Sequence, residues 1–206
     1  MYVVCHTVKL GMMATILFYK PYGVLSHFTG GPLESTLKAY IEVPGVYAAG
    51  RLDKDSEGLL ILSDDGRLIQ LVSDPRFRHK KTYLAQVEGR VDDRDLEPLR
   101  QGVEIKGYRT LPAEVSLQPA PDVPDRPVPV RAYHPTSWLR IVITEGKNRQ
   151  VRRMTAAIGF PTLRLLRIAI GKISLEGLSP GQWRWATTGE IESLSRAERD
   201  LPNMSL

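Results

Sequence analysis

A chain of 206 residues can bury one substantial core, or two small lobes that share one, and its balance of apolar and charged residues is that of an ordinary globular protein. The single Cys5 excludes an intramolecular disulfide framework and an all-cysteine metal site, and no run approaches the roughly 20 apolar residues of a membrane-spanning helix. Net charge is only +5, but residues 140–172 hold eight Lys and Arg against Glu145 alone, and Arg76, Arg78, His79, Lys80 and Lys81 make a second basic cluster, which points to a polyanionic partner such as nucleic acid.

Residues 1–13 carry no pattern, no signal-peptide architecture and end in Met12-Met13, so a disordered leader is expected there, with a cytoplasmic folded chain beginning near Ala14. Residues 15–20 read as a strand ended by the turn Pro21-Tyr22-Gly23. Leu59–Ser63 is a short apolar strand before Asp64-Asp65-Gly66, and Leu68, Leu71 and Val72 then recur at helical spacing. Thr82–Glu88 alternates as a strand, and Asp92 can cap a helix that buries Leu96 and Leu99 and ends near Gly102. Six prolines between 119 and 135 make a loop. Trp138–Thr144 is a strand, and 148–159 a helix that packs through Val151, Met154 and Ile158 and turns Arg149, Arg152 and Arg153 outward. A strand over 163–174 and a helix over 187–196, with Thr187 and Glu190 spaced as a capping box, complete the pattern. Strands and helices mix without strict alternation, so the fold class is α+β with a mixed sheet.

The most informative segment is Gly50-Arg51-Leu52-Asp53-Lys54-Asp55-Ser56-Glu57-Gly58-Leu59-Leu60. Asp53, Asp55, Glu57, Gly58 and Asp64 fall at positions 1, 3, 5, 6 and 12 of a calcium loop, but Arg51 and Lys54 would crowd the cation and the flank is a strand rather than a helix. The remaining readings are a turn-capping acid and a catalytic carboxylate beside fixed positive charge. No P-loop, dinucleotide fingerprint, nucleophile elbow or spaced histidine set supports another chemistry.

Three motifs in order resemble those of the RNA pseudouridine synthases: Gly50-Arg51-Leu52-Asp53 with Gly58-Leu59; Lys81-Thr82-Tyr83-Leu84-Ala85; and Glu145 through Met154 with Leu165, Arg167, Ile170-Gly171 and Leu178. Lys20-Pro21-Tyr22-Gly23 resembles that family's opening strand and turn, and the likeness runs over residues 15–190, in the RsuA-type branch that modifies ribosomal RNA. The resemblance implies a mixed, mostly antiparallel central sheet with flanking helices and a catalytic cleft between two subdomains, over residues 14–200 with a tail at 201–206. It implies isomerisation of a uridine, 23S rRNA being the expected substrate, with no cofactor, metal or DNA. Asp53 would be the essential carboxylate, acting on the sugar either as nucleophile or as base. Tyr83 would stack on the base, Arg152 would pair with Asp53 across the cleft, and Leu165 would lie against the uracil. Arg51, Lys81, Lys147, Arg149 and Arg153 would hold RNA. Many relatives begin with an RNA-binding S4 domain; only about fourteen residues precede the first strand here, so target choice is expected to rest on the catalytic domain's own loops. The competing readings are a non-catalytic RNA-binding or ribosome-assembly factor, a base glycosylase, and the same isomerisation on 16S rRNA or tRNA. With no coiled-coil signal, a monomer is expected.

Overall fold

The computed structural model describes residues 13–32, 34–130 and 133–199. Its strands are β1 (Thr15–Lys20), β2 (Tyr47–Ala48), β3 (Glu57–Ser63), β4 (Lys81–Glu88), β5 (Glu104–Ile105), β6 (Tyr108–Arg109), β7 (Glu114–Gln118), β8 (Thr136–Ile143), β9 (Thr162–Ile170), β10 (Ile173–Ser174) and β11 (Trp183–Trp185). The α-helices are α1 (Gly66–Ser73), α2 (Glu97–Gln101), α3 (Gln150–Ala157) and α4 (Thr188–Arg199). One sheet runs β11-β1-β3-β9-β4-β8-β7, with β2 added to β3 and β10 to β9, while β5 and β6 form a separate hairpin. The pairs of the large sheet are antiparallel except β3 with β9. This is the mixed, mostly antiparallel α+β sheet expected from the sequence.

Every residue of β1 and β3 is buried, which explains why both read as nearly continuous apolar runs instead of alternating ones: the sheet is covered on both faces there. Leu17, Leu59 and Ile61 pack with Leu68 and Val72 of α1 and Leu194 of α4. Leu60 and Leu62 pack on the other face with Ile16 and Phe18, beneath Val24, Leu37, Ile41 and Val46. Farther across the sheet, Tyr83, Ala85, Val87, Leu139, Ile141 and Leu165 meet Leu96, Leu99, Val151 and Met154. The parallel register of Glu57 with Leu166 and Gly58 with Arg167 puts Leu165 and Arg167 on the same face as Leu60. Two cores therefore stand side by side on one face, and a cleft lies between them at the β3–β9 junction.

That junction requires Gly58. Its φ of +107° disfavours any other residue, and a Cβ there would lie 2.2 Å from the Arg167 carbonyl oxygen. The α1 helix begins where Asp65 accepts hydrogen bonds from the Arg67 and Leu68 amides at 2.8 and 3.2 Å. Thr187 and Glu190 form the expected capping box: the Thr187 amide donates to Glu190 Oε2 at 2.8 Å and the Glu190 amide to Thr187 Oγ1 at 3.2 Å.

Some expected boundaries shift. Residues 163–174 are two strands rather than one, β9 and β10, because Gly171 takes φ +57° and reverses the chain. The helix expected over 148–159 is shorter, since Arg149 sits at φ 50° as its N-cap and the helical residues are Gln150–Ala157. The short strands β2, β5, β6 and β11, and β7, went unforeseen because two to five residues leave too little periodicity to read. Except for Met13, the expected leader lies outside the described residues, as does the tail at 201–206. No helix among the described residues is long and apolar enough to cross a membrane.

Candidate active site

The loop from Gly50 to Ser56 is held from several sides. Gly50 takes φ +78°, which allows the chain to turn out of β2. Ser26 Oγ donates to the Leu52 carbonyl at 2.7 Å and accepts from the Leu52 amide at 3.1 Å, so one hydroxyl satisfies both backbone groups of the residue before Asp53. The Gly23 amide reaches the Lys54 carbonyl at 2.8 Å, and the Ser56 amide closes a turn on the Asp53 carbonyl at 3.0 Å. Asp53 is thus presented by a backbone fixed at both ends, with its side chain 29% exposed to the cleft.

The cleft has a volume of about 470 Å³. Among the described residues, Arg51, Lys54, Lys81, Lys147, Arg149 and Arg167 line it together with a single carboxylate, Asp53. Its apolar wall includes Tyr83, Leu165, Ile143 and Val151. Tyr83 pairs with Arg167 and Ala85 with Leu165 across β4 and β9, so the pleat turns Tyr83, Leu165 and Arg167 to the same side. Tyr83 is only 7% exposed.

The arginine on Asp53 is not the one expected. Arg149 Nη1 lies 3.6 Å from Asp53 Oδ2, and no Arg152–Asp53 pair closes within 4.0 Å among the described residues. Arg152 instead donates from Nη2 to the Asp55 carbonyl at 2.7 Å and from Nη1 to the Thr162 carbonyl at 3.1 Å, with Nε 3.4 Å from the Asp55 carboxylate. The cause is the helix start: Arg149 occupies the left-handed N-cap ahead of the first turn, whereas Arg152, one turn into α3, spends its reach on tying the Asp53 loop to β9. Burial lowers the Arg152 pKa, and the nearby Asp55 and Asp53 carboxylates oppose that shift. Burial alone would raise the Asp55 carboxyl, yet the Arg149 hydrogen bond and the charges of Arg152 and Arg149 outweigh it and hold Asp55 below the usual range.

Other expected basic groups have partners within the fold. Arg153 is engaged by Asn148 at 2.6 Å, and Lys147 Nζ stands 3.5 Å over the Tyr108 ring and 3.7 Å from Glu145. Glu145 itself is buried; it accepts from the Leu111 amide at 3.0 Å and from Gln150, which fixes the turn into α3. Arg164 is not a surface cation but a bidentate, buried partner of Glu57 at 2.9 and 2.8 Å. In the second cluster Lys80 pairs with Glu114 and Arg76 with Asp74, while His79 and Lys81 are buried. The positive charge read from composition is therefore divided: Lys81, Lys147, Arg149 and Arg167 line the cleft, while Arg76, Arg78, Lys80, Arg140 and Lys172 are exposed outside it. Asp53 and Asp55, offered to calcium by spacing alone, face arginines. Sequence reasoning missed Ser26, Asp55 and Arg167 as site residues; Ser26 carried no signal, Asp55 was weighed only as a calcium ligand, and Arg167 lay inside a resemblance motif without a role.

The sequence matches, over residues 14–157, the profile of the family described as RNA pseudouridylate synthase. It is 54% identical over 179 residues to the ribosomal large subunit pseudouridine synthase E of Vibrio parahaemolyticus, covering 86% of this chain and 75% of that one. It is also 54% identical over 187 residues to the protein of the same name from Xanthomonas axonopodis pv. citri, covering 88% and 98%. A crystal structure of a pseudouridylate synthase superposes with a TM-score of 0.73 at 28% identity, over 89% of this chain and 74% of that one.

Proposed function

Because the chain belongs to the RNA pseudouridylate synthase family and is an RNA pseudouridine synthase, we propose that its substrate is a uridine of large-subunit ribosomal RNA and that Asp53 is the essential carboxylate. The observation that carries this reading is the company Asp53 keeps: one acid among six cleft cations, 3.6 Å from Arg149 and sharing a wall with Tyr83 and Leu165. A surface built only to hold phosphate gains nothing from a carboxylate at its centre. That argues for the enzyme over a non-catalytic assembly factor.

A uridine stacked in folded RNA must leave its stack before its C1′ can meet Asp53. Tyr83 supplies an aromatic face for the extruded base, worth roughly 1–3 kcal/mol, and Leu165 closes the apolar side. Arg51, Lys54 and Lys147 at the rim meet the flanking phosphates, so affinity falls with salt. Arg149 sets a fixed positive charge 3.6 Å from the Asp53 carboxylate, and Arg152 keeps the loop that carries Asp53 in register with β9. The N1–C1′ bond then breaks, Asp53 either bonds to C1′ or takes a ribose proton, the base turns, and C5 bonds to C1′.

The test is pseudouridine mapping of ribosomal RNA from cells lacking the gene, complemented with wild type or Asp53→Asn. One large-subunit site is expected to disappear and to return with wild type only. A full return with Asp53→Asn, or no lost site, overturns the proposal; a lost site in small-subunit RNA or tRNA reassigns the substrate.

A further inference from the structure

Lys81 and Arg167 are two buried cations that the catalytic scheme above does not use. Arg167 is 3% exposed and Lys81 6%, and both line the cleft. Arg167 is anchored on β3, where its Nε donates to the Leu59 carbonyl at 2.8 Å beside the side-chain-free Gly58. Its Nη2 is buried with no hydrogen-bond partner. Lys81 Nζ reaches only the His79 carbonyl, at 3.3 Å. Neither has a carboxylate within 4.0 Å among the described residues, and the two lie close enough to repel: burial, then the charge of Arg167, lowers Lys81 to about 8. Uncompensated buried cations are costly to a fold and mark places where charge is wanted for another purpose.

The register says what they face. Lys81 and Tyr83 alternate on β4 and point to one side, and Tyr83 pairs directly with Arg167, two residues beyond Leu165. The Arg167 and Lys81 side chains therefore leave the sheet on the face that carries the aromatic and apolar surfaces assigned above to the target base, and both residues line the same cleft. Resting on that assignment, we propose that Arg167 and Lys81 form an anion seat for the detached uracil. When N1–C1′ breaks, the bonding electron pair departs with the base, whose negative charge spreads over N1, O2 and O4. Asp53 balances the sugar by bonding to C1′ or taking its ribose proton. As C5 bonds to C1′, the Asp53–C1′ bond breaks or the ribose proton returns to the sugar; the C5 proton is then lost, N1 gains one, and the product is an isomer with no atom gained or lost. Arg167 Nη2 donates to the carbonyl oxygen on which charge accumulates, and Lys81 adds a second positive charge beside it. Neutral uridine gains little from either group, so the pair acts on the rate of bond breaking more than on affinity.

Single-turnover rates at saturating RNA, with RNA affinity measured separately, test this in Arg167→Met, Arg167→Lys and Lys81→Met. The RNA carries either uridine or 5-fluorouridine at the target. The electron-withdrawing fluorine stabilises the departing anion by itself, so consumption of 5-fluorouridine depends less on the seat. Arg167→Met and Lys81→Met are expected to lose about 100- to 1000-fold in uridine turnover, with dissociation constants changed less than about threefold, and at least tenfold less in 5-fluorouridine consumption. Arg167→Lys recovers part of the loss and reports on the seat should Arg167→Met not fold. Equal losses on both bases show a merely structural role, and a loss confined to affinity shows a phosphate site; either overturns the proposal. Wild type that makes no pseudouridine, or Asp53→Asn that makes it normally, refutes the assignment of the site itself. Active wild type, inactive Asp53→Asn and Arg167 and Lys81 variants within about threefold of wild type refute the anion seat alone.

Discussion

Arg149 spans two acids: its Nη1 stands 3.6 Å from Asp53 while its terminal nitrogens clasp Asp55 at 2.9 and 2.8 Å. Asp55 thus fixes the guanidinium that faces the cleft carboxylate. Because Arg149 sits at φ 50°, the charge is best removed with Asn, which tolerates the left-handed region. Losing a hydrogen-bonded charge costs about 1.5–3 kcal/mol, so Arg149→Asn is expected to slow turnover roughly 10- to 150-fold with the helix intact. Arg152→Ala also folds but loses more activity, since the Asp55 and Thr162 carbonyls are released together and the Asp53 loop drifts from β9. Rates at saturating RNA for the two variants side by side check this; a faster Arg152→Ala than Arg149→Asn contradicts the division of roles.

The β3–β9 junction rests on Gly58. An alanine Cβ would meet the Arg167 carbonyl oxygen at 2.2 Å and take a strained φ of +107°. The parallel β3–β9 pair would have to part at that point. Gly58→Ala is expected to destabilise the chain by about 3 kcal/mol or more in urea unfolding. A loss under about 1 kcal/mol would mean the strands slide apart freely, and the cleft geometry would not depend on their contact.

Much of this was legible in the chain because the central strands are written as apolar runs and the helix of residues 150–157 as a periodic face. The resemblance carried by the three motifs also implied that Asp53, Tyr83 and Leu165 share one site, and they line one cleft. What could not be read is which cation meets which acid. Arg149 and Arg152 differ by less than one turn, and only the left-handed N-cap at Arg149 decides that it, and not Arg152, faces Asp53. Arg164 and Arg167 counted as surface charge in the sequence because their partner Glu57 and their neighbour Gly58 lie more than a hundred residues away. β7 and β11 exist through pairing to β8 and β1 rather than through their own pattern.

Glu57 and Arg164 form a bidentate pair with side chains 3% and 8% exposed, and Arg164 also donates to the Pro124 carbonyl at 2.7 Å, pinning the proline-rich loop. Removing one partner leaves the other charge buried. Glu57→Leu and Arg164→Met are each expected to cost about 3–5 kcal/mol, whereas the two together cost markedly less than the sum. Additive losses in a double-mutant cycle of urea unfolding would show that the two charges do not depend on one another.

Lys81 gives a stability signature that is independent of activity. Burial and the adjacent Arg167 lower it from 10.5 to about 8 in the folded chain, while the unfolded chain keeps the ordinary value. Between pH 8 and 10.5 the unfolded state therefore binds more protons, and stability rises with pH; below pH 8 the cost of the buried charge is felt in full. The cost reaches up to about 3 kcal/mol, from about 1.4 kcal/mol for each unit of displacement. Lys20, also lowered to about 8, adds a similar slope to wild type and variant alike and so cancels in the comparison. Lys81→Met carries no such charge, so its stability relative to wild type should be most favourable at pH 7 and decline by about 2–3 kcal/mol by pH 10. Urea unfolding of both proteins at pH 7, 8, 9 and 10 measures the difference. A gap that stays constant across that range means that Lys81 titrates as an ordinary lysine and is not held as a buried cation.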